Sequence, residues 1–293
     1  MENQISTIAV LGAGTMGRGI AHVSAQAGYQ THLYDTSAEA LKKAETSIHK
    51  NLAKGVELKK VDLQVAERAR QALSLYDNLL DAVERADLII ESVPESINLK
   101  IETFRGVALH APEQALFASN TSALSITEMA AATGRPERFA GMHFFNPVHV
   151  MKLIELIRGL ETSQETIDAL RTVGERMGKE IVVVNEAPGF VTSRINALIG
   201  NEAFRMLQEG VASAEDIDKA LKLGLNHPMG PFEMVDLVGL DVRLSILEFL
   251  HRSLGEAYRP SQILVQHVRA GRLGRKVGRG VYTYNENGER IKA

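Results

Sequence analysis

Short apolar runs alternate with helix-like segments along the first two thirds of the chain. The run 8–11 is followed by a glycine-rich turn, 12–17, by a helical segment that stops at Gly28, and by a second run, 31–34, that ends at Asp35. This order of strand, turn, helix, strand and acid fills about thirty residues. Further apolar runs typical of buried parallel strands are 86–93, 115–119, 138–143 and 181–184. Strands that alternate with helices predict a doubly wound α/β sheet.

The segment 37–72 interrupts this alternation. It has no proline and a single glycine, and it is rich in Ala, Leu, Lys, Glu and Gln. We predict a helical hairpin insertion that turns near Gly55. Lys43, Lys50 and Lys54 are spaced so that they share one helical stripe, which by pattern alone is typical of a solvated face.

The pattern changes after residue 185. The turn 187–189 leads into a mostly helical stretch, 190–270, and no apolar β run follows until 281–284. We therefore predict a first domain of residues 1–185 and an all-α C-terminal domain of residues 186–293.

Composition narrows the classes of protein that remain. The 293 residues favour about two domains. With no cysteine, the chain lacks a disulfide framework, a thiolate nucleophile and thiolate-bound metals. The net charge of −3 argues against a nucleic-acid partner. No apolar run reaches about 18 residues, and no signal peptide is predicted, so we expect a cytoplasmic protein without a membrane partner. The nine histidines show no metal-ligand spacing, so no metal is predicted.

The glycine-rich turn carries the clearest chemical signal. Gly12 permits a tight turn, Gly14 allows the backbone to approach a pyrophosphate, and Gly17 lets the helix pack on the sheet. Asp35 lies 18 residues after Gly17, at the end of the next strand. An acid there accepts hydrogen bonds from ribose hydroxyls and repels a 2′-phosphate. The combination predicts a Rossmann-type domain that binds NAD.

Two later segments, 118–124 and 141–156, are too polar for packing alone. Ser122 and His143 lie just past predicted strand ends, where open α/β sheets bind ligands. A neutral imidazole can accept the proton of a hydroxyl that is being oxidised, and a carboxylate on its other nitrogen would fix its tautomer. From the residue types alone, Glu155 and Asp35 are both candidates for this carboxylate, although Asp35 is already assigned to the ribose hydroxyls.

With these motifs the chain resembles the 3-hydroxyacyl-CoA dehydrogenases, in particular the short 3-hydroxybutyryl-CoA dehydrogenases. The resemblance covers nearly the whole chain. It is carried by GAGTMG at 12–17, SNTSALSITE at 119–128, GMHFFNPV at 141–148, PGFVTSR at 188–194, NHPMGPFEMVDLVGLD at 226–241 and GRLGRKVGRGVYTY at 271–284.

The resemblance implies an NAD-dependent, reversible oxidation of a short (3S)-3-hydroxyacyl-CoA, such as 3-hydroxybutyryl-CoA, to the 3-oxoacyl-CoA. It implies that His143 is the base, that Glu155 orients it, and that Ser122 holds the substrate oxygen. It places Asn51 and Lys54 of the hairpin near CoA. The implied cofactor contacts are Gly12, Ala13, Gly14, Thr15, Met16, Gly17, Asp35, Glu95, Lys100, Asn120, Asn146 and Lys276.

One position departs from the family's pattern. Members commonly carry Asn, which helps to hold the substrate, where this chain has Ser193. Ser is shorter but still forms a hydrogen bond. We therefore keep Ser193 among the catalytic candidates, with Asn196 as a substitute for the missing amide.

Two other functions stay open at this point. The same scaffold could oxidise a free hydroxy acid of the gulonate type without CoA, or it could be a non-catalytic NAD-binding protein. The Ser122–His143–Glu155 set argues against the second. The resemblance also implies a homodimer formed through the C-terminal helices.

Overall fold

The computed structural model describes residues 5–291, which form two compact units. The first extends to Glu186 and the second begins at Ala187. Within the described residues, no helix is both long enough and apolar enough to cross a membrane.

The first unit is built on one eight-stranded sheet with the order β3-β2-β1-β4-β5-β6-β7-β8. Neighbouring strands are parallel from β3 to β6, β7 runs antiparallel to β6, and β8 runs parallel to β7. The fold is thus the predicted doubly wound α/β sheet. The strands are β1 (Thr7–Leu11), β2 (Gln30–Tyr34), β3 (Leu73–Tyr76), β4 (Leu88–Glu91), β5 (Leu116–Ser119), β6 (Phe139–Phe144), β7 (Leu153–Arg158) and β8 (Glu180–Asn185).

Helices connect the strands and cover the sheet. They are α1 (Thr15–Gln26), α2 (Ala38–Glu57), α3 (Leu63–Gln71), α4 (Leu79–Val83), α5 (Ile97–Ala108), α6 (Ile126–Ala131) and α7 (Gln164–Arg176). Several begin after a side chain that accepts a backbone N–H, among them α2 after Ser37 and α6 after Ser125.

The predicted hairpin is α2 and α3, but its turn lies after Gly55, at 58–62. Gly55 is in the last turn of α2, where a Cβ would come within 2.7 Å of Val61. Its missing side chain therefore lets the turn fold back onto the helix.

The central strands of the sheet are buried. Every residue of β4, β5 and β6 is buried, which explains why these segments are continuous apolar runs. The carboxyl ends of β1, β2, β4, β5 and β6 meet at one edge of the sheet. Because β7 is antiparallel to β6, its amino end lies at that same edge. Of the polar residues singled out from the sequence, Asp35, Asn120 and His143 lie at this edge.

The second unit is helical, with α8 (Thr192–Gln208), α9 (Ala214–Gly224), α10 (Pro231–Val238), α11 (Leu240–Leu254) and α12 (Gln262–Arg269). The run 281–284, predicted as β, forms only isolated bridges. A buried carboxylate, Asp236, holds it by accepting hydrogen bonds from the backbone N–H groups of Val281 and Tyr282 and from the Tyr284 hydroxyl, at 2.8–2.9 Å. The segment is thus held by a buried acid and by isolated bridges instead of by a full strand pairing.

Candidate active site

The three glycines of the glycine-rich turn differ in whether packing requires the absence of a side chain. Gly12 has φ +99°, and a Cβ there would lie 2.7 Å from the Ser92 carbonyl oxygen. A Cβ on Gly17 would lie 1.7 Å from the Gly12 carbonyl oxygen. A Cβ on Gly14, which precedes α1, would meet no heavy atom of the described residues within 4 Å. Packing therefore does not require glycine at 14, whereas the approach of a pyrophosphate does.

Asp35 directly follows β2, beside this turn. Its Oδ2 accepts a hydrogen bond from the Ala13 backbone N–H at 2.8 Å, and its Oδ1 accepts one from the Ser37 N–H at 2.9 Å. The carboxylate is thus fixed against the turn, and each oxygen keeps a further lone pair for a ribose hydroxyl. Thr15 and Met16 form the first residues of α1. The residues present fit NAD.

The pairing of β6 with β7 brings the predicted base and its carboxylate together. His143 and Glu155 are directly opposite in the antiparallel register. The His143 Nδ1 lies 2.8 Å from Glu155 Oε2, and the two residues are 7% and 1% exposed. An ionised carboxylate only accepts hydrogen bonds, so Nδ1 carries the hydrogen and Nε2 is the proton-accepting nitrogen.

A buried ion pair lies two strands away, at the end of β4. Glu91 is fully buried and accepts hydrogen bonds at 2.6 Å from the Lys100 ammonium, the Ser119 hydroxyl and the Val93 N–H. Burial raises the pKa of the Glu91 carboxyl, while the Lys100 ammonium and the donated hydrogen bonds oppose that rise. Lys100 is 1% exposed, and its ammonium also contacts the Val93 carbonyl and Glu95, each at 3.2 Å. Its three hydrogens are thus directed at protein oxygens.

Glu95 links this ion pair to the loop that carries Ser122. Its Oε1 accepts hydrogen bonds from the Thr121 hydroxyl at 2.6 Å, the Ser122 N–H at 3.0 Å and the Ser122 hydroxyl at 3.3 Å. Asn120, just before these residues, accepts a hydrogen bond from the Phe144 N–H at 2.9 Å and so fastens the loop to the end of β6. The structure therefore connects Lys100, Glu95 and Ser122.

Three other residues predicted for the site lie on α2 and in the loop after β6. Asn51 and Lys54 are on α2, and the Lys54 ammonium pairs with Glu57 at 2.7 Å. A cavity of about 440 Å³ on the same helix is lined by a different set: Glu39, Lys42, Lys43, Thr46, Ser47 and Lys50. Asn146 is exposed in the loop after β6.

In the second unit, Ser193 and Asn196 are on the first turns of α8. The Lys276 ammonium lies 2.6 Å from both carboxylate oxygens of Asp241. Burial raises the pKa of Asp241, but hydrogen bonds from Lys276 outweigh this and hold it below its usual range. The cofactor role of Lys276 stays a prediction.

Sequence reasoning missed Glu91, Ser119 and Thr121. Glu91 gave one usable signal: it is an acid inside an otherwise apolar strand, and buried acids need a partner. The sequence does not identify that partner, because Lys100 and Ser119 come from different elements. Ser119, the last residue of β5, and Thr121 fall in the polar segment 118–124, but nothing in the sequence assigns either of them a role.

Residues 7–187 match the model of the 3-hydroxyacyl-CoA dehydrogenase NAD-binding domain, and residues 189–284 match that of the family's C-terminal domain. A probable 3-hydroxybutyryl-CoA dehydrogenase of Bacillus subtilis is 46% identical, over 97% of this chain and 99% of that protein. A 3-hydroxybutyryl-CoA dehydrogenase of Bradyrhizobium diazoefficiens is 44% identical, over 97% of each. The crystal structure of a Ralstonia eutropha (S)-3-hydroxybutyryl-CoA dehydrogenase is similar, with a TM-score of 0.93 and 41% identity over 96% of this chain and 100% of that one.

Proposed function

Because this chain belongs to the 3-hydroxyacyl-CoA dehydrogenase family, we propose that it interconverts (3S)-3-hydroxybutyryl-CoA and acetoacetyl-CoA. The chain is an NAD-dependent oxidoreductase. The observation that carries the proposal is the 2.8 Å hydrogen bond between His143 and Glu155, at the edge of the sheet where the glycine-rich turn also lies. It provides a proton acceptor at the edge of the sheet that also carries the dinucleotide site.

In the proposed mechanism, His143 Nε2 accepts the proton of the substrate hydroxyl. Glu155 stabilises the resulting imidazolium through Nδ1. Ser122 aligns the substrate oxygen, and Glu95 holds the backbone of Ser122 in place. NAD, when bound, supplies the hydride acceptor. In the reverse direction the imidazolium returns its proton to the carbonyl oxygen. Ser193 stays a proposed catalytic residue, in place of the Asn that helps to hold the substrate in other members of the family.

The assay that tests the substrate follows NADH consumption with acetoacetyl-CoA and with free acetoacetate. We expect kcat/KM to be at least about a hundredfold higher for the CoA ester, because binding of the remote CoA part contributes to transition-state stabilisation. Equal turnover of the free acid would favour a dehydrogenase of free hydroxy acids. Absence of turnover with both would favour a non-catalytic NAD-binding protein.

We further propose that the α2 face binds the CoA phosphates. Replacing Lys50 and Lys54 together by Gln is expected to raise KM for acetoacetyl-CoA about fivefold per lost charge, equivalent to about 1 kcal/mol for an exposed ionic contact. KM for NADH should stay unchanged, since the glycine-rich turn is intact. Lys219→Gln, at an exposed lysine of α9, is the matched control. An unchanged KM for acetoacetyl-CoA in the double variant would place CoA elsewhere.

We also propose a homodimer formed through the second unit. This unit exposes large apolar side chains, and such patches mark interaction sites when they are contiguous. The most exposed are Ile195, Val211, Leu223 and Leu225. Sedimentation velocity should give twice the 32.0 kDa mass of the chain, and a monomer at micromolar concentration would refute the dimer.

A further inference from the structure

The loop that carries Ser122 is held at both of its ends. On one side, Glu95 binds Thr121 and Ser122. On the other side, three residues after Ser122, the Ser125 hydroxyl accepts the Glu128 N–H and so starts α6. A Ser122 hydroxyl that must align a substrate oxygen depends on both attachments.

Glu186 holds this second end. Its Oε1 accepts a hydrogen bond from the Ser125 hydroxyl at 2.7 Å, and its Oε2 accepts one from the Thr127 N–H at 2.9 Å and another from the Thr127 hydroxyl. The Thr127 hydroxyl oxygen in turn accepts the Leu160 N–H at 3.0 Å. One carboxylate therefore joins the start of α6 to the sheet through three hydrogen bonds, which its charge strengthens.

Glu186 is too far along the sheet to take part in the chemistry directly. The register pairs Glu155 with Val182, so Glu186 lies four residues further along, at about 13 Å for about 3.3 Å per residue. It is also the last residue of the first unit, and its own N–H is fixed to the Arg158 carbonyl at 2.9 Å. Its side chain therefore acts from a fixed backbone position.

We infer that Glu186 is a positioning residue, which sets the location of the Ser122 hydroxyl by fastening Ser125 and Thr127. The inference rests on the proposed function, because it assigns Glu186 an effect only through Ser122. Without the carboxylate, the segment 123–127 keeps the Thr121 hydroxyl at its start, which accepts the Ala123 and Leu124 N–H groups, and the buried Ile126 side chain. The hydroxyls of Ser125 and Thr127, however, lose the acceptor that holds them. A displacement of about 1 Å at a group that orients the substrate can lower the rate about a hundredfold.

The first test compares three variants in the acetoacetyl-CoA assay. Glu186→Ala is expected to lower kcat about 10- to 100-fold, with KM for NADH within about twofold of wild type. Glu186→Gln keeps one acceptor oxygen but loses the charge, so its kcat should fall by less, about 3- to 10-fold. Glu180→Ala, at an exposed acid on β8, the strand that Glu186 follows, should match wild type. If Glu186→Ala does not fold, the kcat of Glu186→Gln alone tests the inference. A kcat within twofold of wild type in the folded variants overturns the inference.

The second test is a double-mutant cycle with Ser122→Ala. If Glu186 acts through Ser122, Glu186→Ala should cost less than about threefold in kcat once Ser122 is absent, because coupled residues are not additive. The full loss in both backgrounds would mean a general structural role and would overturn the inference. Failure of the proposed function is separate: it appears as a wild type without acetoacetyl-CoA turnover, or as an active Ser122→Ala variant with unchanged kcat.

Discussion

The His143→Gln variant is expected to reduce acetoacetyl-CoA about 10²- to 10⁴-fold more slowly than wild type, the usual contribution of a positioned acid–base group. Glutamine is similar in size and still hydrogen bonds to Glu155, but its amide has no titratable proton to exchange with the substrate oxygen. NADH affinity should stay within about threefold, since Asp35 and the glycine-rich turn are unchanged. Steady-state kinetics with fluorescence titration of NADH measure both quantities.

Two further variants are needed to interpret the loss of activity expected for His143→Gln. Glu155→Gln keeps the imidazole but offers an amide that can donate to Nδ1, which would place the hydrogen on Nε2 and remove the proton acceptor. It should therefore also lose kcat while it keeps NADH affinity. His110→Gln, at an exposed histidine of the same unit, is expected to match wild type. Near-normal turnover by His143→Gln would exclude His143 as the base.

The second large effect is expected on stability, at the Glu91–Lys100 pair. In Lys100→Met the ammonium is lost and Glu91, which is fully buried, keeps no counter-ion. Breaking a buried pair from one side costs about 3–5 kcal/mol. For a chain of this size that lowers the unfolding midpoint by about 10 °C. Thermal unfolding of the protein without NAD measures the change.

The double variant Lys100→Met/Glu91→Gln should recover much of this loss. A neutral amide can still accept hydrogen bonds at this position, and replacing both charges of a buried pair is often neutral for stability. A double variant no more stable than the single one would contradict the argument. A role of Lys100 confined to cofactor contact predicts the opposite pattern, with weaker NADH binding and an unchanged midpoint in the protein without NAD.

Lys54→Met serves as the surface comparison. The Lys54–Glu57 pair is only 2.7 Å apart, but both side chains are more than half exposed. Solvent screens such pairs, so the midpoint should stay close to that of wild type. The contrast between the two lysines separates the effect of burial from that of ion-pair geometry.

Local periodicity predicted the parts of the fold in which one face or both faces of an element are buried. The strands β1, β2, β4, β5, β6 and β8 were each identified from a short apolar run. For β4, β5 and β6 the run reflects burial on both faces. The edge strand β8 was found from the run 181–184 although none of its residues is buried, whereas β3, with the sequence LSLY, offers no such run. The segment of β7 was noticed but not identified as a strand, because Glu155 interrupts its apolar run.

The site was predictable where chain order places residues at strand ends, and less so where contact depends on pairing. The positions of Gly12, Asp35 and His143 follow from the strand-end rule. The contact of His143 with Glu155 does not, because it requires β7 to turn back antiparallel beside β6. The Glu91 and Glu186 networks were not predicted, since they join residues that the chain separates by up to 28 and up to 61 positions, respectively.

A substitution at position 14 would remove dinucleotide binding while it leaves the fold intact. A side chain at residue 12 or 17 collides with backbone, so such a change would be eliminated as misfolded protein. At residue 14 the described protein offers no such collision, and the cost would fall on the dinucleotide alone. A duplicated gene released from selection for catalysis could therefore accept a substitution there early. Its product would remain folded and available for recruitment to another task.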